Sequence, residues 1–137
     1  MSASTKLSTS TKALCFLAIA DKPKNSAEIA EHIGVNASKL RMLLSKLNKA
    51  GIVKSDSGIF GGFSLNKNPD DIHLQEIYCA IEDRKAFYLN VQTAKSQKHS
   101  LPENVNSFFL DLFSDIQIDI ESKMSKINLS FIINKIK

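Results

Sequence analysis

Cysteine is scarce in this 137-residue chain, and the scarcity excludes several chemistries at once. Cys15 and Cys79 lie far apart without paired spacing, so no disulfide framework or multi-thiolate site can be built from them, and a reducing, cytoplasmic setting is expected. The three histidines, His32, His73 and His99, stand at no metal-ligand spacing to one another or to either cysteine. HExxH, CxxC and GxSxG are all missing, and the glycine-rich stretch from Gly58 to Gly62 lacks the Lys-Ser/Thr tail of a P-loop and opens no helix. These gaps argue against an enzyme and leave no metal or cofactor to expect. Nor does any apolar run approach the ~20 residues of a membrane span. The run Ala13 to Ala20 follows Lys6 and Lys12 and ends in Ala18-Ile19-Ala20, which mimics a secretory leader. It reads instead as a helix that the next segment needs for its core.

What is present is an ordinary soluble composition, 43% hydrophobic and 23% charged, sufficient for one packed domain with an appended element. Charge is unevenly spread. Residues 1–67 carry ten Lys or Arg against four acids, a surplus of +6, while residues 68–137 carry eight against ten, or −2. Such asymmetry suits phosphate binding by the first half, because Lys and Arg displace counterions condensed on nucleic acid.

Periodicity divides the chain into short helices. Leu7, Leu14, Leu17 and Ala18 give an apolar face over about residues 5–20, ended by Lys22-Pro23-Lys24-Asn25. Ser26 is placed to cap a helix from Ala27 to Ile33, with Gly34 at its C-terminal end. Asn36 then caps a helix from Ala37 to Ala50, whose Leu40, Leu43, Leu44 and Leu47 share one side and which Gly51 closes. Two helices parted by three residues have the form of a helix-turn-helix. Ile52 to Ser55 and Phe63 to Asn66 read as the strands of a hairpin around a glycine-rich loop, where Gly58, Gly61 and Gly62 suit positive φ or close approach to a phosphate. Helix, helix, hairpin is the order of a winged helix.

Asn68-Pro69-Asp70-Asp71 predicts a turn and Leu74 to Glu82 a further helix. Residues 83–101 show no period and read as a linker or loop. From Pro102, well placed at a first helical position, a long helix runs to about Lys126. Its Val105, Phe108, Phe109, Leu112, Phe113, Ile116 and Ile120 form a stripe wider than one packing face requires, which predicts dimerisation through a second copy of the same helix. The expected fold is therefore mainly α with a small β-hairpin: a winged helix-turn-helix at 1–82, a linker at 83–101, and a dimerisation helix and C-terminal tail at 102–137.

The face of the second helix opposite the leucines presents Ser38, Lys39, Arg41, Met42, Ser45 and Lys49, with Lys46 beside them. In a major groove Arg41 can donate twice to a guanine, Ser38 can meet a base edge or phosphate, and the lysines suit phosphates. Ser57, Gly58 and Ile59 at the wing complete the candidate double-stranded DNA interface. Cys15 and Cys79 both read as small apolar residues within helices, Cys79 with a lesser expectation of redox sensing. Tyr78, Phe87 and Tyr88, between the fourth helix and the long helix, read first as core aromatics and second as the lining of a small-ligand site, and a small-molecule or protein co-regulator stays open.

Residues 13–82 also resemble the Rrf-two family of winged helix-turn-helix regulators. The matching residues are Ala27-Glu28-Ile29-Ala30-Glu31, Leu47-Asn48-Lys49-Ala50-Gly51-Ile52-Val53, then Gly58, Gly61-Gly62-Phe63 and Leu65, continued by Pro69-Asp70-Asp71-Ile72, Glu76-Ile77 and Ile81. From Tyr78-Cys79-Ala80-Ile81-Glu82 onward the chain is similar to the clusterless YwnA-like branch. The resemblance implies a transcriptional regulator, a repressor, acting as a homodimer on a palindromic operator, with the long helix as dimerisation helix. It also marks departures. The family's iron-sulfur members place three cysteines between the fourth and the long helix, where residues 83–104 here have none. The branch's Cys-Pro pair is Leu101-Pro102, and the wing arginine is replaced by Ser57 beside Asp56, a negative charge near the duplex. That replacement motivates an alternative: a winged-helix interaction module working through a protein partner, with DNA binding weak or secondary.

Overall fold

The computed structural model describes residues 1–59, 61–82 and 100–137. Leu14, Leu17, Ile29, Leu40, Leu44, Leu47, Ile52, Ile72, Ile77, Ile81 and Leu129 meet in one apolar core. They come from α1 (Ala3–Ile19), α2 (Ser26–Ile33), α3 (Ala37–Lys49), α4 (Leu74–Ile81), α6 (Leu129–Ile136) and the segments around them. The long helix α5 (Leu101–Met124) lies mainly against α4. A two-stranded antiparallel sheet, β1 (Val53–Asp56) and β2 (Gly62–Leu65), pairs Val53 with Leu65 and Asp56 with Gly62. The protein is a winged helix, mostly helical with a small hairpin, as its hydrophobic periods predict.

Local chemistry sets the helix ends. Asn25, not Ser26, caps α2: its side chain accepts from the Glu28 N–H at 2.8 Å, and the Glu28 carboxylate accepts from the Asn25 N–H at 3.4 Å. This reciprocal capping box satisfies two donors that the first turn otherwise leaves unpaired. Ser26 is the first helical residue. At the other end Gly34 adopts φ +74°, and the Gly34 and Val35 N–H groups both return to the Ala30 carbonyl. Asn36 then caps α3, accepting from the Ser38 and Lys39 N–H groups at 2.9 and 3.2 Å. These two short junctions fix the angle at which α3 leaves α2.

The hairpin is joined by a third piece of extended chain. Lys24 bridges Phe63, so the segment between α1 and α2, legible in the sequence only as a helix breaker, extends the wing's sheet by one residue. Gly62 has φ +142°, and a Cβ there would lie 2.6 Å from the Lys24 carbonyl carbon. At Gly61 a Cβ would overlap the Asp56 carbonyl. The close approach expected of these two glycines is thus to the protein's own backbone and closes the wing. Of the two alternatives for the wing glycines, positive φ holds at Gly58 (+105°) and Gly62 (+142°).

Pro69–Asp71 forms a single 3-10 turn capped by Asn68. Residues beyond Ile127, legible only as a tail, form α6, which folds back onto that turn and α1. Its start is latched: the Leu129 N–H donates to the Ile72 carbonyl at 2.7 Å, the Leu74 N–H to the Ile127 carbonyl at 2.9 Å, and Ser130 Oγ bonds the Asp70 carboxylate. Leu129 and Ile133 are buried in the core. The linker expected at 83–101 falls, up to residue 99, outside the described residues. No helix among the described residues is long and apolar enough to cross a membrane.

Candidate nucleic-acid interface

The exposed surface of α3 follows from its sequence. Leu40, Leu43, Leu44 and Leu47 are buried, so the helical period turns Ser38, Lys39, Arg41, Met42, Ser45 and Lys49 to solvent. The helix contains no acid. Met42, at 65% exposure, is a large apolar side chain left uncovered in the middle of this polar face. Arg41 is held loosely, one guanidinium N–H donating to Ser38 Oγ at 3.3 Å, which leaves most of its donor fork available. Lys46 departs from the expectation for the lysines of this helix. Its ammonium donates to the Ile81 carbonyl at 3.3 Å, at the C-terminus of α4, so it ties α3 to α4 instead of facing outward.

The wing supplies the other surface. Ser57, Gly58 and Ile59 are all exposed, Ile59 at 97%, and the exposed Lys54 and Asp56 flank them on β1. The structure thus leaves the nine sequence-selected residues of α3 and wing solvent-facing, on two elements joined through Gly51 and β1. Sequence reasoning missed Lys24, whose backbone fixes the wing to the α2 cap; a single bridged residue has no periodicity to reveal it.

The two cysteines differ from each other. Cys15 is buried in α1, as an apolar helix residue would be, and burial raises its thiol pKa. Cys79 is exposed, contrary to its reading as a second core residue, and its Sγ lies 3.7 Å from Glu121 Oε1 on α5. Partial burial first, then the Glu121 charge and hydrogen bond, raise the Cys79 pKa as well. At both positions the surroundings favour the protonated thiol, whereas redox-reactive cysteines need the thiolate stabilised. Tyr78, read first as a core aromatic, is buried against the core's edge; Phe87 and Tyr88 lie outside the described residues.

Residues 3–135, nearly the whole chain, match the family model Rrf2, described as an iron-dependent transcriptional regulator. The protein belongs to the Rrf2 family. Among curated Rrf2-like relatives, YwnA of Bacillus subtilis, which carries the name of an HTH-type transcriptional regulator, is 27% identical over 114 residues, covering 83% of this chain and 84% of its own. A similarly named HTH-type regulator of Haemophilus influenzae is 29% identical, covering 82% and 72%. Of solved structures, T. potens IscR superposes with TM-score 0.70 at 25% identity, over 100% of this chain and 89% of that one. CymR of B. subtilis, titled the global cysteine regulator, superposes with TM-score 0.68 at 22% identity, over 96% and 95%, which shows the shared Rrf2 fold. The family and these relatives are transcriptional regulators, not enzymes.

The iron in the Rrf2 description can be tested against the donors present. A cluster held by three thiolates does not fit a chain with two cysteines, one buried in α1 and the other on α4 beside a carboxylate. Residues 83–99 contribute no cysteine, and among the described residues no group of three His, Cys, Asp or Glu could hold a metal.

Proposed function

We propose that this Rrf2 protein is a sequence-specific repressor that binds double-stranded DNA as a homodimer on a palindromic operator. The observation that carries the reading is the outward face of α3: six polar, basic or uncovered side chains, no acid, on a helix whose other side is locked into the core by four leucines. Placed in a major groove, Arg41 reads a guanine, Ser38 and Ser45 meet base edges or phosphates, Met42 supplies apolar contact, and Lys39 and Lys49 neutralise phosphates. Ser57, Gly58 and Ile59 lie along the adjacent minor groove, where the apolar tip offers shape contact in place of a charged reading.

Dimerisation rests on α5. Val105, Phe108, Phe109 and Leu112 are exposed, Phe113, Ile116 and Ile120 half-buried, and a face of this size and apolarity on one chain needs a cover. A twofold dimer places two α3 helices in successive major grooves roughly 34 Å apart, and the pair occludes the DNA it covers. The reader head is 1–82 in this reading, and α5 the dimerisation element. A small molecule or protein acts on it as co-regulator.

Asp56, exposed beside the wing, favours the second reading, an interaction module with weak DNA binding. Selection of genomic fragments by the purified full chain at stated salt separates the two. A recurrent twofold-symmetric sequence supports the repressor; retention of no sequence above random DNA supports the module.

A further inference from the structure

One outward residue of α3 is explained by neither charge nor hydrogen bonding. Met42 is 65% exposed and stands among Ser38, Arg41 and Ser45, yet its side chain has no donor and only a weakly accepting thioether. Helical geometry gives it a central place. At about 100° per residue, Ser38, Met42, Ser45 and Lys49 fall within about 60° of one another, opposite the buried Leu40, Leu43, Leu44 and Leu47. Arg41 lies about 100° to one side of Met42, and Lys39 about 60° to the other.

A helix lying in a major groove turns the side opposite its core face to the base edges and its flanks to the phosphate walls, and its N-terminal residues do most of the base reading. In the first two turns of α3 the side opposite the leucines holds Ser38 and Met42, and Ser38 is short. Lys49 belongs to the last turn. Met42 is therefore the side chain that reaches furthest toward the base edges at the middle of the face. The apolar group that base edges present in the major groove is the C5 methyl of thymine; the rest of the pattern is donors and acceptors. Against thymine, Met42 buries a methyl. Against cytosine it covers the N4 amino group and leaves that donor without a partner, which costs free energy.

We infer that Met42 is a specificity-determining residue that reads the 5-methyl group of a thymine in each half-site of the operator. Arg41 and the serines select by hydrogen bonding, and Met42 adds a contact that depends on a single methyl group. The protein then distinguishes thymine from uracil at that position, although the two bases pair identically and offer the same hydrogen-bonding groups.

This inference rests on the reading of α3 as the operator-binding helix and adds the chemical group that its central side chain recognises. The test uses operator fragments selected from genomic DNA by the full chain, with thymidine replaced by deoxyuridine at one position at a time. Replacement at one thymine of each half-site, at twofold-related positions, is expected to lower affinity about fourfold, the value of one buried methyl. In Met42→Ala and in Met42→Gln, which keeps the length but offers hydrogen bonds, the same replacement is expected to leave affinity unchanged. Both variants are expected to melt with the parent, because Met42 is exposed. A bound operator in which no uracil weakens binding, or a uracil effect of the same size in either variant, overturns the methyl contact while leaving operator binding standing. Failure of the parent chain to select any sequence overturns both.

Discussion

Lys24 and Phe63 exchange two backbone hydrogen bonds: the Lys24 N–H donates to the Phe63 carbonyl at 3.0 Å, and the Phe63 N–H to the Lys24 carbonyl at 2.7 Å. One residue upstream of the α2 cap and one downstream of Gly62 are thus hydrogen-bonded to each other, which ties the wing to the start of the helix-turn-helix. Gly62 permits the approach, because its φ of +142° and the 2.6 Å spacing to the Lys24 backbone leave no room for a side chain. Gly62→Ala is therefore expected to cost about 2 kcal/mol or more. Urea unfolding with an unchanged midpoint would show that the bridge is dispensable.

The α2 cap gives a second, sharper contrast. Asn25→Ala removes the acceptor for the Glu28 N–H and should cost about 1 kcal/mol. Ser26→Ala, one residue along, lies inside the helix and should stay within about 0.5 kcal/mol. Equal losses from the two substitutions would place the cap at Ser26 after all.

Cys79 allows a test by reactivity. Burial and the Glu121 carboxylate both favour the protonated thiol, so its folded pKa stands above the ordinary value. The resulting contribution to stability is present below the unfolded thiol pKa and is lost as pH climbs through the raised folded one. At pH 8, iodoacetamide should label folded Cys79 more slowly than the unfolded chain, and Glu121→Gln should speed labelling several-fold by removing the charge. Fast labelling at neutral pH, insensitive to Glu121, would mean an activated thiol and restore a redox role.

Arg41 separates base reading from backbone contact. Its side chain is exposed and its one hydrogen bond is local, so Arg41→Ala should leave the melting temperature within a degree or two. Affinity for the selected operator should fall by about 1–3 kcal/mol, with a smaller loss on random DNA. Equal losses on both would reduce Arg41 to a phosphate contact.

Much of this architecture was legible because its elements bury one face. The leucines of α3 repeat at helical spacing, and Gly34, Asn36 and Gly51 punctuate the chain where the helices end. What escaped detection depends on distant partners. Helix α6 is only eight residues long, and its contacts are the Pro69–Asp71 turn and α1, far away in sequence. Lys46 looks like any outward lysine until α4 brings the Ile81 carbonyl to it. The Asn25 cap was within reach: Glu28 stands three residues after Asn25, where a capping box requires an acid, and that spacing distinguishes it from Ser26. For the interface, burial of the leucine face was predictable from period alone. For the wing glycines the sequence leaves positive φ and close approach to a phosphate both open; positive φ holds at Gly58 and Gly62, and a glycine that admits its own chain is identical in sequence to one that admits a phosphate.

The claim that the exposed face of α3 reads an operator is tested most directly by footprinting the full chain on genomic fragments it selects, across a series of salt concentrations. The account predicts twofold-symmetric protection with half-sites about one helical turn apart and affinity that falls steeply with salt. Absence of any protected sequence at low salt, with the protein folded and dimeric, would contradict it.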